Sequence, residues 1–136
     1  MGQRFWGAYQ SESDTLQRIT EGQCLIAEIN NRIVGTCTYR VPMPKDNRFF
    51  YHKPGVGVLG QFAVHPEYQG TGIGAALLRE IEALAIKGGA SELALDTSEQ
   101  TLHLIDYYGR KGFRFIEYIQ WGETNYRSVI MSKCLI

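Results

Sequence analysis

The sequence predicts a mixed α/β domain, a largely antiparallel sheet that contains one parallel strand pair. Three observations lead there. Apolar patterns of period two and period 3.6 follow one another in the order β-β-β-α-β-α-β-β. The middle of that order is strand, helix, strand, and two strands joined through a helix run parallel, while the flanking strands are close enough in sequence to form hairpins. Glycines at 70, 72 and 74 stand between the first of those strands and the helix. The 136 residues are expected to form a single domain over 1–136, long enough to bury a core. No internal repeat, linker or low-complexity stretch interrupts them.

Taken in order, Ser13 and Asp14 can cap a short helix through Leu16 and Ile19 that ends at Gly22. Residues 24–29 read as a strand. Asn30 and Asn31 tolerate the positive φ of a tight hairpin, and 33–39 is the returning strand. Residues 41–57 break the pattern: they hold three of the four prolines and the aromatic run Phe49, Phe50, Tyr51 and His52. A loop this long in a compact domain is often functional, and the aromatics favour a wall on the substrate side. Residues 56–64 read as a buried strand whose internal glycines mark a bulge or a close backbone approach. Pro66 ends the ladder. Ile73, Leu77, Ile81, Leu84 and Ala85 then share one helical face, and Lys87, Gly88 and Gly89 close that helix. Residues 92–96 are a strand, 101–111 a helix capped by Gly112, and 113–121 and 127–135 the last two strands.

Composition excludes several classes of function. Hydrophobic residues make up 44% and charged residues 21%, and the formal net charge is zero. With no basic excess to neutralise phosphates, nucleic acid is not the expected partner. No apolar run approaches the roughly 20 residues of a membrane span, and the first residues lack the apolar core of a signal peptide. Trp6 stands where a myristoylation signal carries Ser or Thr. Cys24, Cys37 and Cys134 are odd in number and lack paired metal spacing. They are expected to be reduced thiols of a cytoplasmic protein, with neither disulfide nor metal site.

The glycine-rich turn carries the chemistry. The first N–H groups of a helix have no internal partners, and the helix dipole places partial positive charge there. Glycines without a Cβ let a ligand approach that backbone, and phosphate suits such a site. A Walker loop is ruled out because Gly74 is followed by Ala75 and Ala76 instead of Lys and Ser or Thr. A dinucleotide fingerprint fits only loosely through Gly70, Gly72 and Ala75, because the strand reaches the turn through an extended polar segment and a single strand-helix-strand unit cannot make the whole fold.

Residues 64–78, Val-His-Pro-Glu-Tyr-Gln-Gly-Thr-Gly-Ile-Gly-Ala-Ala-Leu-Leu, closely resemble the signature of the GNAT acetyltransferase superfamily. Its core, Q/R-x-x-G-x-G/A, is met by Gln69, Gly72 and Gly74. Downstream, Tyr108-Gly109-Arg110-Lys111-Gly112-Phe113 is similar to the family's Y-x-x-x-G-F. The resemblance covers roughly residues 24 to 135, and the part before it is expected to be shorter than usual. It implies the family's fold: a mixed, mostly antiparallel central sheet split at the parallel pair, with helices on both faces.

It also implies the site. The pyrophosphate of acetyl-CoA would rest on the backbone of Gly70, Thr71, Gly72, Ile73, Gly74 and Ala75, helped by the Gln69 side chain. The pantetheine arm would lie along Phe62, Ala63 and Val64, in a slot opened by a bulge near Gly60 and Gln61. Thr101 stands where many relatives carry a cofactor-contacting Asn. No metal is implied. Acetyl transfer requires a deprotonated amine, because an alkyl ammonium of pKa ~10.4 is almost wholly charged at pH 7. It requires an oxyanion donor, for which the backbone near Ala63 or Val64 serves in the family. It requires an acid for the departing thiolate, and the resemblance gives that role to Tyr108. Tyr107, about 100° away around the helix, is expected to face elsewhere. Gln61 stands where many relatives have a basic Glu, so it can position but not deprotonate; Glu28, His52, His65 and Glu67 are the other candidates.

The expected activity is an N-acetyltransferase that passes acetyl from acetyl-CoA to a primary amine on a small molecule or peptide, by direct attack in a ternary complex. The alternative is a non-catalytic sensor of acyl-CoA or CoA, which would keep the glycine turn and lack a base. Tyr118, Trp121 and Tyr126 are aromatic enough to wall the acceptor pocket. Homodimers are common among such folds.

Overall fold

The computed structural model describes residues 22–42, 50–122 and 124–135. Residues 13–21 of the helix expected to end at Gly22, and Phe49 of the aromatic run, lie outside them. Among the described residues six strands form one sheet: β1 (Gln23–Ile29), β2 (Arg32–Arg40), β3 (Val56–Val64), β4 (Glu92–Ser98), β5 (Arg114–Ile119) and β6 (Ser128–Cys134). The helices described, α1 (Ile73–Lys87) and α2 (Leu102–Arg110), follow β3 and β4. Short 3₁₀ turns lie at Phe50–His52 and Pro66–Tyr68.

The sheet order is β1-β2-β3-β4-β6-β5. All neighbours are antiparallel except β3 and β4, so the expected mixed sheet is found. The β1–β2 hairpin closes on Asn30 and Asn31 at φ 51° and 63°, with Ile29 opposite Arg32. Two successive left-handed residues give the turn a twist that matches the strands it joins.

Period-two alternation divides the strands between two cores. Cys37, Leu59, Leu93, Leu95, Val129 and Met131 face one side, where Leu77, Leu78, Ile81 and Ala85 of α1 and Tyr108 of α2 meet them. Val56, Val58, Ala94 and Ile130 face the other, under Phe50 and Tyr51. The aromatic run therefore serves first as a cover for the second face.

Both helices stop where their glycines allow. The Gly88 amide donates to Leu84 O at 3.0 Å and Ala90 N to Ala85 O at 2.9 Å, around Gly89 at φ 86°. At the end of α2, Phe113 N donates to Tyr108 O at 3.0 Å around Gly112 at φ 99°. A left-handed residue just past the helix returns the chain to its last carbonyls. Lys133 of β6 pairs with Glu82 of α1 at 2.7 Å, tying helix to sheet.

Ile81 is fully buried at the centre of the α1 interface. Ile81→Ala removes packing that the backbone cannot refill, and should cost about 2–5 kcal/mol. Chemical denaturation checks this: the urea midpoint should fall with the m-value unchanged.

Candidate active site

β3 and β4 pair only at Val56–Glu92, Gly57–Leu93 and Val58–Ala94. Beyond that point β3 changes course. Gln61 has φ 49°, and the β2–β3 register shifts between Thr36 and Thr38. The Thr36 hydroxyl donates to Gln61 O at 2.8 Å and holds the bulge. The strands part, and a cleft opens between them.

One half of the cleft, about 490 Å³, runs from Phe62, Ala63 and Val64 across Gln69, Gly70 and Gly74 to His103, Leu104, Tyr107 and Tyr108 of α2. The other, about 420 Å³, lies toward Gln61, Asp96, Thr97, Ser98, Tyr126 and Ser128. Phe62, Ala63, Leu104 and Tyr108 line both halves, so Tyr108 stands at their junction.

The glycine turn fits a phosphate-bearing ligand. Ala76 N donates to Gly72 O at 3.0 Å as the first bond of α1. The amides of Gly70, Gly72, Ile73, Gly74 and Ala75 have no acceptor among the described residues. Gly70 and Gly72 have φ of 81° and 91°, and a Cβ built on either meets nothing within 4 Å. A Cβ on Gly74 would instead stand 3.4 Å from both Phe62 Cζ and the Tyr107 hydroxyl. Unpaired donors at a helix start with open space before them are a cradle for anionic oxygen. Gln69 braces the cradle: its amide nitrogen donates to Val64 O at 3.1 Å. Thr71 is likewise bound inward, donating to Tyr68 O.

Tyr108 is buried among Phe62, Tyr107 and Phe113, at ring-centroid distances of 6.3, 5.5 and 5.7 Å. Burial is the main cause that pushes its phenol well above the ordinary tyrosine value, and nearby Cys37, Tyr107 and Asp96 add to it. The group is therefore a protonated donor at neutral pH. Its hydroxyl bonds no other described residue. Tyr107 also faces the cleft, contrary to the expectation that only one of the two would. The reason is the breadth of the contact: His103, Leu104, Tyr107 and Tyr108 form one wide face of α2 along the cleft, and it takes in both neighbours.

Thr101 does not line the cleft. Its hydroxyl donates to Ser98 O at 2.7 Å and lies 3.1 Å from that of Thr97, fixing the start of α2. Glu28, His52, His65 and Glu67 are also absent from the lining. His65 Nδ1 accepts from Glu67 N at 3.1 Å and so holds the turn before the glycines.

The carboxylate that does line the cleft, Asp96, was not anticipated from the sequence. It closes the apolar run of β4 beyond the last β3 pairing. Its Oδ1 accepts from the Tyr51 hydroxyl at 2.7 Å and its Oδ2 from Trp121 Nε1 at 3.1 Å. Burial and the Asp96 charge push the Tyr51 phenol well above its ordinary value, against the lowering effect of Arg40, so Tyr51 stays a donor. A signal was present: ligands bind beyond the carboxyl ends of parallel strands, and Asp96 is the acidic residue at that end of β4. Of the three aromatics proposed as a wall, Tyr126 lines the cleft and Trp121 supports Asp96. Tyr118 lies elsewhere, exposed on β5 under the Arg127 guanidinium.

A turn of free amides, a split parallel pair and a tyrosine between them match a known pattern. Residues 2–113 match the model of the acetyltransferase (GNAT) family. The chain belongs to that family. It is 31% identical over 127 residues to S-(2-succino)cysteine N-acetyltransferase of Bacillus subtilis (strain 168), across 92% of this chain and 72% of that protein. Its fold is shared with Ard1 from Thermoplasma volcanium, at TM-score 0.79 and 14% identity over 94% of this chain and 82% of the other. It is shared too with a GNAT family acetyltransferase from Elizabethkingia anophelis with acetyl-CoA bound, at TM-score 0.71 and 20% identity over 91% and 83%. The family is one of acyltransferases that use acetyl-CoA. Among the described residues no helix is long and apolar enough to cross a membrane.

The bulge predicts its own mutational signature. A left-handed backbone costs an ordinary residue about 1–2 kcal/mol, is free to glycine and is worst for a β-branched side chain. Gln61→Ile should therefore be less stable than Gln61→Gly by at least about 1 kcal/mol. Equal urea midpoints for the two variants would show that the bulge is not held in solution.

Proposed function

We propose that the chain is an N-acetyltransferase acting on a primary amine, with acetyl-CoA across both halves of the cleft and the acceptor entering beside Asp96. The observation that carries this is the continuity of the cleft: free amides at one end, a carboxylate at the other, Tyr108 between. The amides of Gly70, Gly72, Ile73, Gly74 and Ala75 hold the pyrophosphate. Phe62, Ala63 and Val64 flank the pantetheine arm, with backbone donors near Ala63 and Val64 toward the thioester oxygen. Acetyl-CoA supplies the activated acetyl group.

Asp96 is the one charged side chain in the acceptor half among the described residues. It attracts an ammonium and, held on both oxygens by Tyr51 and Trp121, takes up the proton the amine must lose. Gln61, beside it, orients the acceptor. Tyr108, protonated at neutral pH, gives its proton to the departing thiolate as charge builds on the sulfur. No covalent enzyme intermediate is invoked, and direct attack in a ternary complex needs none. Gln69 and Thr71 shape the turn, while Thr101 acts at one remove by fixing α2.

Thermal unfolding with equal concentrations of acetyl-CoA, CoA and NAD tests the cofactor. A ligand at a hundredfold its Kd adds about 2.7 kcal/mol, a shift of several degrees for a domain of this size. Both CoA species should stabilise the protein and NAD should not; no shift with CoA at millimolar concentration removes the reading.

Tyr108→Phe and Asp96→Asn test the chemistry, with thiol release measured over an amine panel. Each should lower kcat about 10²–10⁴-fold and leave CoA affinity within about threefold. Full turnover in either variant removes that residue from the mechanism.

A further inference from the structure

Tyr107 has no part in the reading above, yet its position is specific. It belongs to a ladder at four-residue spacing: His103 and Tyr107 lie on one stripe of α2, and Lys111 follows as the residue that ends the helix. His103 and Tyr107 both line the half of the cleft that contains the glycine turn. The Lys111 ammonium lies 5.6 Å from the centre of the Tyr107 ring.

The Tyr107 hydroxyl reaches across the cleft. It stops 3.4 Å from where a Cβ of Gly74 would stand, and Phe62 Cζ and Val64 Cγ2 close the same space at 3.4 and 3.7 Å. Gly74, with no Cβ, thus lets the phenol come into contact range of the first turn of α1, where the amides of Ile73, Gly74 and Ala75 have no acceptor among the described residues. The phenol bonds no other described residue, and burial raises its pKa, so it faces the cleft as a donor at neutral pH. Donors from the turn and from α2 line the same half of the cleft, which suits an anionic ligand there.

We infer that Tyr107 is a coenzyme-binding residue: its hydroxyl donates a hydrogen bond to the pyrophosphate of CoA together with the α1 amides. The inference rests on the acetyl-CoA reading above and adds a specific division of labour. Tyr107 holds the coenzyme by its phosphates, and Tyr108, the next residue, acts at the sulfur. His103, one turn earlier, extends the same wall toward solvent.

Tyr107→Phe keeps the ring, its contact with Tyr108 and the stack under Lys111, and removes only the donor. Titration calorimetry with CoA and with S-acetyl-pantetheine, which carries no phosphate, separates the roles. A hydrogen bond to a charged group is worth about 1.5–3 kcal/mol, a tenfold or greater change in Kd. The expected result is CoA binding weakened about tenfold or more, S-acetyl-pantetheine binding unchanged, and kcat at saturating acetyl-CoA within about twofold of the parent. CoA affinity equal to that of the parent overturns the inference. So does an equal loss for both ligands, which would place Tyr107 on the arm or make its role structural. Tyr107→His, which restores a donor on a shorter ring, serves if the Phe variant unfolds; it should bind CoA more tightly than Tyr107→Ala, and equal affinities overturn the inference. A parent protein that binds no CoA at all would instead sink the acetyl-CoA reading itself.

Discussion

Two parallel strands usually go on pairing until one of them ends, because each unpaired backbone group that is buried costs about as much as a lost hydrogen bond. β3 and β4 both continue past Val58 and Ala94, yet their pairing stops there. What stops it is the left-handed backbone at Gln61, and what keeps Gln61 in that state is the Thr36 hydroxyl on its carbonyl. β3 stays bonded to β2 beyond the bulge, with Ala63 opposite Thr36 and Val64 opposite Gly35. The bulge thus moves β3 away from β4 without detaching it from the sheet. The edge it leaves at Phe62, Ala63 and Val64 is unpaired on one side and faces the cleft. An extended ligand arm can complete that edge as another strand would.

The same departure sets the cleft's polarity. α1 begins just after β3, so its free amides lie at one end of the gap. β4 carries Asp96 at the other end, past the point where β3 has gone. Positive potential from the helix start and a fixed negative charge therefore stand at opposite ends of one slot. On the proposed reading, an anionic coenzyme and a cationic amine would each be drawn to a different end, and the end that draws one would repel the other. The two aromatic donors on Asp96 leave its carboxylate exposed enough to meet an acceptor while fixing its orientation.

Local chemistry was legible in the sequence. The Asn30-Asn31 hairpin, the glycine caps of both helices, the bulge near Gln61 and the glycine turn at 70–75 each depend on residues close together in the chain, where backbone preference decides the conformation. Tyr108 was legible for a related reason, since it lies a fixed four residues before the cap at Gly112. Asp96 was not. Its significance comes from Tyr51, 45 residues earlier, and Trp121, 25 residues later, and no local pattern encodes that meeting. Thr101 shows the converse: its spacing from Tyr108 suggested a ligand contact, but hydrogen bonds to Ser98 and Thr97 turn its hydroxyl back toward β4. The strand ends differed by a residue or two for a similar reason. β4 runs on to Ser98 because β6 continues to pair with it there.

The two neighbouring tyrosines show why helical geometry alone misjudged the cleft. Adjacent residues on a helix diverge by about 100°, which would send only one of them into a flat slot. This cleft borders a broad face of α2, made by His103, Leu104, Tyr107 and Tyr108, so side chains on adjoining stripes both meet it. Tyr108 is buried, its ring packed against Phe62 and Phe113, at the junction of the two halves. Tyr107 stays half-buried, with its ring against Tyr108 and its hydroxyl toward Gly74. Burial raises both phenols, but Tyr108 the more, because it is the more deeply enclosed. On the proposed reading, the deeper enclosure of Tyr108 strengthens its hydrogen bond to a developing thiolate in a low dielectric, whereas Tyr107, as donor to a phosphate already charged, needs only to be in place.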